Sequence, residues 1–498
     1  MARGTFDHVL GTNYVPTGHE RQLLATLIKS KEQELLCLRD TIMFDKLNDD
    51  ILAHKALLTP ARGLPSELVS EVFTHSVNYL PPAQGQLGYN DGSLHRFAKP
   101  SVNEAPLVLG RICRHWRTIA LSTPTLWSTI SIPRYFRIIG LQTWISRAGS
   151  CDLSFGVFVE HASMEVLNFL GSYQQRWSDV VLGLVNHRNG DFECGRRFLE
   201  SLSPGFPSLQ ILEVCARDSS YPPIPLVIGP SPNLRNLIFD ISSIRITTLD
   251  DLPPLCLREV DVRCEWWTLS KELVTLLRLS PAVQVFRARV SKGLEPYEPH
   301  RDILNLPVLK QMDIVVHYED DERFCVLERF HVPALEELSF RTSFDRIPHV
   351  YAPQIRSLIH QSHPPLKVLR VWGSHYLPSV DIMECLPFLP LLSTLHLEDL
   401  KGQIDGLINA LTGPIPPSSD ELTGCLCPEL KEIYFDSTVA HHPNSDSVIS
   451  MILSRRLSGR SRLADVTLLQ CSQSEVLADP RIIVCIEKGL KFKGDVKL

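Results

Sequence analysis

The chain has 498 residues, of which 44% are hydrophobic and 21% charged, so most of it is expected to fold. Its 50 basic and 56 acidic residues give a net charge of −6 spread along the whole length, which excludes a general nucleic-acid surface built on clustered positive charge. No apolar run approaches the ~18 residues of a membrane span, and the N-terminus has no signal-peptide core. The 13 cysteines are scattered and never form a CxxC pair, so we expect reduced thiols in a cytoplasmic or nuclear protein.

Residues 1–19 are polar and are predicted to form a disordered tail. A helix is predicted over 20–59, where apolar residues recur at steps of three and four. The residues of this series are Leu24, Ile28, Leu35, Leu38 and Ile42. It covers barely three heptads, so two interpretations stay open: a coiled coil, or a helix packed on its own domain.

Residues 60–125 contain two segments that are predicted to form amphipathic helices. The first is GLPSELVSEVFTHSV at 63–77, in which Leu64, Pro65 and Ser66 suit a helix start. A Gly-, Pro- and Asn-rich insertion at 78–105 separates it from the second, which reads APLVLGRICRHWRTIALSTPTLWSTISI. The apolar stripes of the two segments are formed by Leu68, Val72 and Phe73 and by Leu109, Ile112, Cys113, Trp116 and Ile119.

These segments resemble the F-box, and they closely resemble the F-box-like domain of large families in mushroom-forming fungi. Those families combine LPxEhhxEhF, where h is apolar, a variable insertion, and PLxLxxhCRxWRxIAxSTPxLW. The second motif is the specific one, and its matched residues are Cys113-Arg114, Trp116-Arg117, Ile119-Ala120 and Ser122-Thr123-Pro124. The resemblance covers residues 64–132 directly. It implies recruitment of a Skp-type adaptor and, through it, assembly of a cullin-type ubiquitin ligase.

The resemblance also implies which residues face the adaptor. They would be Leu64, Pro65, Leu68, Val72, Phe73, Leu109, Ile112, Cys113 and Trp116. Some of these must instead hold the small helices together, and the sequence does not separate the two groups. The alternative is that the segment is only a structural cap on a protein-binding scaffold.

From about residue 200, apolar residues at relative positions 0, 3 and 5 recur in ten copies at spacings of 23 to 38 residues. In eight of the ten, a proline lies two residues before position 0. The first anchors are Leu209, Leu234, Leu257, Val283, Leu309, Leu335, Leu366, Leu392, Leu430 and Leu463. Periods of about 20–29 residues with an LxxLxL core are typical of leucine-rich repeats. Each copy is predicted to form one strand whose positions 3 and 5 face the core. Outer helices are predicted at 271–280 and 447–457, and degenerate first strands at 126–132, 151–159 and 177–185.

The chain is therefore predicted to be an α/β protein. An N-terminal helix and a small all-α F-box-like module precede an irregular leucine-rich-repeat solenoid with a parallel β-ladder, which occupies residues 126–498. Proline has no N–H to give to a ladder, so the prolines two residues before most anchors are expected in the turns that enter the strands.

A protein substrate is expected on the concave face, where residues at relative positions 4 and 6 alternate with the buried ones. This face mixes both charge signs with aromatic side chains, which tend to anchor protein interfaces, and it lacks the one-sided basicity of a nucleic-acid groove. The candidate substrate-binding residues are Asp261, Arg263, Arg287, Arg370, Trp372, His396 and Tyr434.

Sequence motifs for chemistry are not found. GxGxxG, GxxxxGK[ST], GxSxG and HExxH do not occur, and Cys425 and Cys427 have the wrong spacing for a zinc knuckle. We therefore predict no catalytic residue, no metal and no cofactor. The expected function is a non-enzymatic substrate-recognition adaptor, with the leucine-rich-repeat scaffold as the alternative.

Overall fold

A computed structural model gives the fold of the chain. The structure describes residues 6–12, 14–37, 41–77, 96–184, 192–202, 205–216, 224–240, 244–248, 254–262, 271–291, 303–318, 327–344, 353–373, 377–398, 400–401, 404–413, 426–436, 443–457 and 463–495. Most of the predicted insertion (78–95), Leu38 and Arg263 lie outside these described residues. The chain divides into two compact units, residues 1–183 and 184–498, so the predicted boundary after residue 125 lies inside the first unit.

The first unit begins with two helices, α1 (Gly18–Cys37) and α2 (Thr41–Leu57). They fold back on each other, and an ion pair joins Lys31 of α1 to Asp50 of α2. The prediction of a single helix over 20–59 is therefore wrong. Of the two interpretations of its apolar spacing, packing on its own domain is the one the structure supports. The residues buried between the two helices include Leu24, Ile28, Ile51 and Leu57.

The segment before α1 belongs to the same core. Phe6 and Val9 are buried in the apolar cluster formed by α1 and α2, and Asp7–Val9 forms a short 3₁₀ helix. The prediction of a disordered tail over 1–19 is therefore wrong for the described residues of this segment. Phe6 and Val9, together with the partly buried Leu10 and Tyr14, attach this segment to the helix pair.

Helix α1 starts at a capping box formed by Thr17 and Glu20. The Thr17 N–H and hydroxyl both donate to Oε2 of Glu20, at 2.8 and 2.7 Å, and the Tyr14 hydroxyl donates to Oε1 at 2.5 Å. These hydrogen bonds stabilise the ionised carboxylate. They lower the pKa of Glu20 to about 2, with the largest effect from Tyr14 and the next from Thr17.

We expect the Glu20 carboxyl to stay ionised near pH 4, where an ordinary glutamate with a pKa of 4.5 is mostly protonated. Because the pKa is lowered in the folded state, the capping box stabilises the chain fully above pH 4.5 and loses this contribution as the pH falls toward about 2. A carboxyl-detected NMR titration measures the midpoint. In Tyr14→Phe the midpoint should move upward, and a midpoint near 4.5 in the unchanged chain would contradict the expectation.

The first unit continues with α3 (Ser66–Ser76), α4 (Leu109–Ile112), α5 (Arg114–Leu121), β1 (Thr129–Ile132), α6 (Ile138–Ala148), β2 (Leu153–Phe158), α7 (Met164–Gly171) and β3 (Trp177–Leu184). The strands are parallel, with β1 beside β2 and β2 beside β3. This confirms the three early strands predicted at 126–132, 151–159 and 177–185. Across the described part of the chain, no helix combines the length and the apolar character that crossing a membrane requires.

Residues 96–98, at the described end of the predicted insertion, are buried against the strands of the first unit. The Ala98 carbonyl accepts a hydrogen bond from the Ser131 N–H of β1 at 2.8 Å. Arg96 is buried, and its Nη2 donates to Oδ1 of Asp179 in β3 at 2.6 Å. These residues are therefore part of the core of the first unit.

The second unit contains the strands β4 (Ile211–Ala216), β5 (Ile224–Ile228), β6 (Asn236–Asp240), β7 (Ile244–Thr248), β8 (Glu259–Val262), β9 (Val285–Ser291), β10 (Leu304–Asn305), β11 (Gln311–Tyr318), β12 (Phe330–His331), β13 (Glu337–Phe344), β14 (Val368–Gly373), β15 (Leu377–Pro378), β16 (Thr394–Leu397), β17 (Leu400–Lys401), β18 (Glu432–Phe435), β19 (Asp465–Ser472) and β20 (Lys491–Asp495). Its helices are α8 (Phe192–Ser201), α9 (Lys271–Arg278), α10 (Pro353–Ser362), α11 (Ser379–Cys385), α12 (Ile404–Leu411), α13 (Ser445–Leu457), α14 (Gln473–Leu477) and α15 (Pro480–Glu487). The main sheet is parallel throughout, in the order β4-β6-β8-β9-β11-β13-β14-β16-β18-β19-β20. Three pairs of short strands lie outside it: β5 with β7, β10 with β12, and β15 with β17.

The repeat predicted from the sequence is confirmed as a repeat of strands. Each of the ten copies contributes one strand to the main sheet, and every one of the ten first anchors is at most 1% exposed. The outer helices predicted at 271–280 and 447–457 correspond to α9 and α13. Strand β20 was not predicted. In its register with β19, the position that aligns with the anchor Leu463 is occupied by Gly489, with φ +90°, and not by an apolar residue.

The prolines of the repeat occupy tight turns that lead into the strands. In seven of the eight copies with such a proline, the anchor N–H donates to the carbonyl three residues earlier, as Leu309 donates to Leu306 at 3.3 Å. Proline is then the second residue of the turn, where its fixed φ is favourable and its missing N–H costs nothing. The exception is Leu366, whose N–H donates to the Pro364 carbonyl.

A buried arginine joins consecutive repeats near the end of the sheet. Arg455 of α13 is fully buried, and its guanidinium donates to the carbonyls of Leu411, Cys427 and Leu426 at 2.7, 3.0 and 2.6 Å. One buried side chain thus links the end of α12 to the segment that enters β18. The Cys427 carbonyl also accepts from the Leu430 N–H at 3.1 Å.

We expect Arg455→Met to lower the free energy of unfolding of the second unit by about 2–3 kcal/mol, because it removes three hydrogen bonds made by a buried guanidinium. Urea denaturation followed by circular dichroism measures the change. Arg258→Met replaces an exposed arginine of the same unit and should shift the midpoint little. Equal shifts for the two variants would contradict the expected role of Arg455.

Candidate functional site

The nine side chains predicted to face an adaptor fall into separate groups in the structure. Phe73 and Leu109 are buried, and Cys113 and Trp116 are half-buried. The exposed members are Leu64, Pro65, Leu68, Val72 and Ile112.

The buried group holds the small helices together. The ring of Phe73 in α3 packs edge-on against Trp116 in α5, with centroids 4.8 Å apart. The Cys113 sulfur caps α5 by accepting from the Trp116 N–H at 3.4 Å, and Ser70 Oγ lies 2.9 Å from Thr123 Oγ1. The prediction of adaptor contact is therefore wrong for Phe73 and Leu109, because their side chains are covered by their own chain.

The exposed group leaves one side of α3 apolar and uncovered. Leu68 and Val72 lie four residues apart on a stripe about 100° around the helix axis from Val69 and Phe73. They are 53% and 56% exposed. Leu64, just before the helix, continues their spacing of four and is also exposed. We call Leu64, Leu68 and Val72 the exposed stripe.

The second candidate surface is the side of the main sheet that alternates with the buried anchors. We call the strand residues at relative positions 2, 4 and 6 the open face. Those at position 4 are aligned across neighbouring strands, as predicted. The aligned residues are Glu213, Ile238, Asp261, Arg287, Asp313, Ser339, Arg370, His396, Tyr434 and Thr467.

The beginning of this row is not accessible. Asp261 is 1% exposed, so its prediction as a substrate contact is wrong. It lies 4.0 Å from the guanidinium of Arg287, which also forms an ion pair with Glu259. Arg287 is therefore largely engaged within the sheet, and Arg263 lies outside the described residues.

The middle of the row is a network of charges. Burial raises the pKa of Asp313, whereas the nearby guanidinium groups of Arg287 and Arg341 act to lower it. Nη1 of Arg370 lies 3.8 Å from the carboxylate Oε2 of Glu337 on the neighbouring strand, and Arg370 is half-exposed. These opposite charges compensate one another within the open face.

Three of the candidate residues come together at β14, β16 and β18. The rings of Trp372 and His396 have centroids 5.3 Å apart, and His396 stacks on Tyr434 at 4.0 Å with an interplanar angle of 11°. We call Trp372, His396 and Tyr434 the aromatic stack. Glu398 orients it, because one carboxylate oxygen accepts from Trp372 Nε1 at 3.0 Å and from His396 Nε2 at 2.6 Å. The guanidinium of Arg341 lies 4.9 Å from the Trp372 ring centroid.

Arg341 was missed as a candidate residue, and Glu398 was predicted on the concave face but not among the substrate-binding residues. Both hold relative position 6 of their repeats, the same position as Trp372, so the repeat alignment contained the signal. The alignment could not predict that Arg341 and Glu398 both contact Trp372 of a neighbouring repeat, because these contacts depend on the orientation of the ring.

The described residues include one group that could hold a metal ion, formed by Asp7, Asp50 and His54. The fully buried His54 ring donates from Nδ1 to the Asp50 carbonyl at 2.8 Å, and its Nε2 lies 3.5 Å from a carboxylate oxygen of Asp7. The ammonium of Lys31 already supplies Asp50 with a positive partner. We interpret the group as a polar network that attaches the N-terminal segment to α2.

Comparison of the sequence with protein-family models and with curated proteins gave no match. Two surfaces of the chain are candidates for binding a partner: the exposed stripe of α3 and the open face with its aromatic stack.

Proposed function

We propose that this chain is a non-enzymatic substrate-recognition adaptor of a cullin-type ubiquitin ligase. In this proposal, α3, α4 and α5 form an F-box-like module that docks a Skp-type adaptor. The second unit is an irregular leucine-rich-repeat solenoid whose open face binds a protein substrate.

The observation that carries the proposal is the exposed stripe on a helix whose other face is already packed. Phe73 packs on Trp116 of α5 and Val69 is also buried, whereas Leu68 and Val72 stay exposed. The packing of α3 on its own module therefore does not depend on Leu68 and Val72. Burying a leucine or valine side chain contributes about 1.5–3 kcal/mol, so an apolar stripe favours a partner.

The second unit supports the substrate-binding half of the proposal. Its buried anchors and parallel strands agree with the leucine-rich-repeat pattern. The open face offers aromatic and charged side chains on rigid strands, and rigid aromatic groups are typical anchors of protein interfaces.

The alternative function is a leucine-rich-repeat scaffold in which the F-box-like segment is only a structural cap. The burial of Phe73 and Leu109 within their own chain favours it, because part of the predicted docking face is core. The two functions differ in one measurable property, which is binding of a Skp-type adaptor.

The test is co-expression of the full chain with a Skp-type adaptor, followed by size-exclusion chromatography. The proposal expects a complex of one chain with one adaptor, and recruitment of a cullin through that adaptor. An open-face variant such as Tyr434→Ser should form the same complex. Elution of the two proteins as separate species would support the scaffold instead.

A further inference from the structure

The strands β16, β18 and β19 make one region of the open face acidic. Four of the nine open-face positions on these strands are carboxylates, and none is lysine or arginine. The nine positions are Thr394, His396, Glu398, Glu432, Tyr434, Asp436, Asp465, Thr467 and Leu469. Glu398 and Asp436 extend the strand ladder, because their N–H groups donate to Val371 and Leu397, both at 2.9 Å. Lys491 and Lys493 of β20 mark the limit of this region.

The aromatic stack ends inside this acidic region. His396 covers one face of the Tyr434 ring at 4.0 Å, and this stacking runs across the strands. The other face of Tyr434 is therefore directed toward β19, where its register partner is the small residue Thr467. A planar group could lie on this face of the ring beside the carboxylates of the neighbouring positions.

The electrostatics of Tyr434 agree with this geometry. Its pKa is raised first by burial and then by the negative charges of Glu398 and Asp436. Glu398 and Asp436 extend the strands that carry His396 and Tyr434. A cation placed on the Tyr434 ring would therefore gain both the ring quadrupole and the negative charge of these carboxylates.

The chain itself contains an example of the contact. The Arg341 guanidinium lies over the other end of the stack, 4.9 Å from the Trp372 centroid. Arginine suits such a surface better than lysine does, because its planar group stacks on rings and also donates two parallel hydrogen bonds to a carboxylate.

We propose that the end of the aromatic stack, formed by Tyr434 with Glu398 and Asp436, binds an arginine side chain of the substrate protein. The substrates would then present an exposed basic segment. This inference rests on the proposed substrate-binding role of the open face, but it does not depend on binding of a Skp-type adaptor.

The test uses three fluorescently labelled peptides of identical glycine–serine background that contain two arginines, two citrullines or two lysines. Citrulline keeps the planar shape of arginine and removes its charge. Anisotropy with the full chain should show binding of the arginine peptide at least tenfold tighter than of the citrulline peptide, and weaker binding at high salt. The lysine peptide should lie between them.

Two variants locate the binding. Tyr434→Leu and the conservative Glu398→Gln should each weaken binding of the arginine peptide about fivefold to tenfold, whereas Arg289→Gln, on the same open face, should not weaken it. Equal affinity for the arginine and citrulline peptides, or no saturable binding at about millimolar peptide, would overturn the inference. So would unchanged affinity in both variants.

Binding of a Skp-type adaptor, measured on the same samples, separates this inference from the proposed ligase function. Arginine selectivity without adaptor binding would keep the inference and reject the ligase role. Adaptor binding without arginine selectivity would do the opposite.

Discussion

Leu68→Asp should weaken binding of a Skp-type adaptor by more than tenfold, which corresponds to about 1.4 kcal/mol. Leu68 is 53% exposed in the chain, so the aspartate is hydrated before binding and the fold should be retained. In the complex the same carboxylate would have to leave water without a partner, and the apolar contact of the leucine would be lost. Surface plasmon resonance measures the affinity, and thermal unfolding measures the fold.

A matched control is Leu52→Asp, which makes the same change at a leucine of α2 that is 54% exposed. It should leave the adaptor affinity unchanged, since Leu52 lies outside the exposed stripe. Trp116→Ala is a poorer test, because Trp116 packs on Phe73 and its loss would also loosen the module. Adaptor affinity that survives Leu68→Asp would rule out the exposed stripe as the docking surface.

Arg96→Met should lower the free energy of unfolding of the first unit by about 3–5 kcal/mol. The side chains of Arg96 and Asp179 are only 5% and 6% exposed, and Arg96 Nη2 donates to Asp179 Oδ1 at 2.6 Å. Removing the guanidinium leaves the carboxylate of Asp179 in the interior without this partner. Hydrogen exchange of the amides in β1, β2 and β3 measures the loss in the unit concerned.

The paired variant Arg96→Met with Asp179→Leu should recover part of the lost stability, since no charge then stays buried. Arg111→Met, at an exposed arginine of α4, is the control and should change the exchange rates little. A loss below about 1 kcal/mol in Arg96→Met would mean that the pair is solvated in solution.

Much of the second unit could be predicted because its determinants are local. The proline turn, the anchor and the alternation of buried residues all lie within about nine residues, and the same arrangement recurs ten times. Since the side-chain period of a strand is two, one anchor sets which residues face the core and which share a row. This repetition placed His396 and Tyr434 in one row on neighbouring strands. It placed Trp372 in the next row of the same face.

By itself, then, the sequence determined the strands, their anchors and the alignment of the open face. Only the tertiary structure decided which apolar side chains of α3 are core and which form the exposed stripe, because helical spacing gives two candidate faces and packing on α5 chooses one. It also decided that Asp261 is buried, and that Arg96 contacts Asp179, 83 positions further along the chain. Such contacts depend on how segments far apart in the sequence pack together, and the local pattern of residues does not specify this packing.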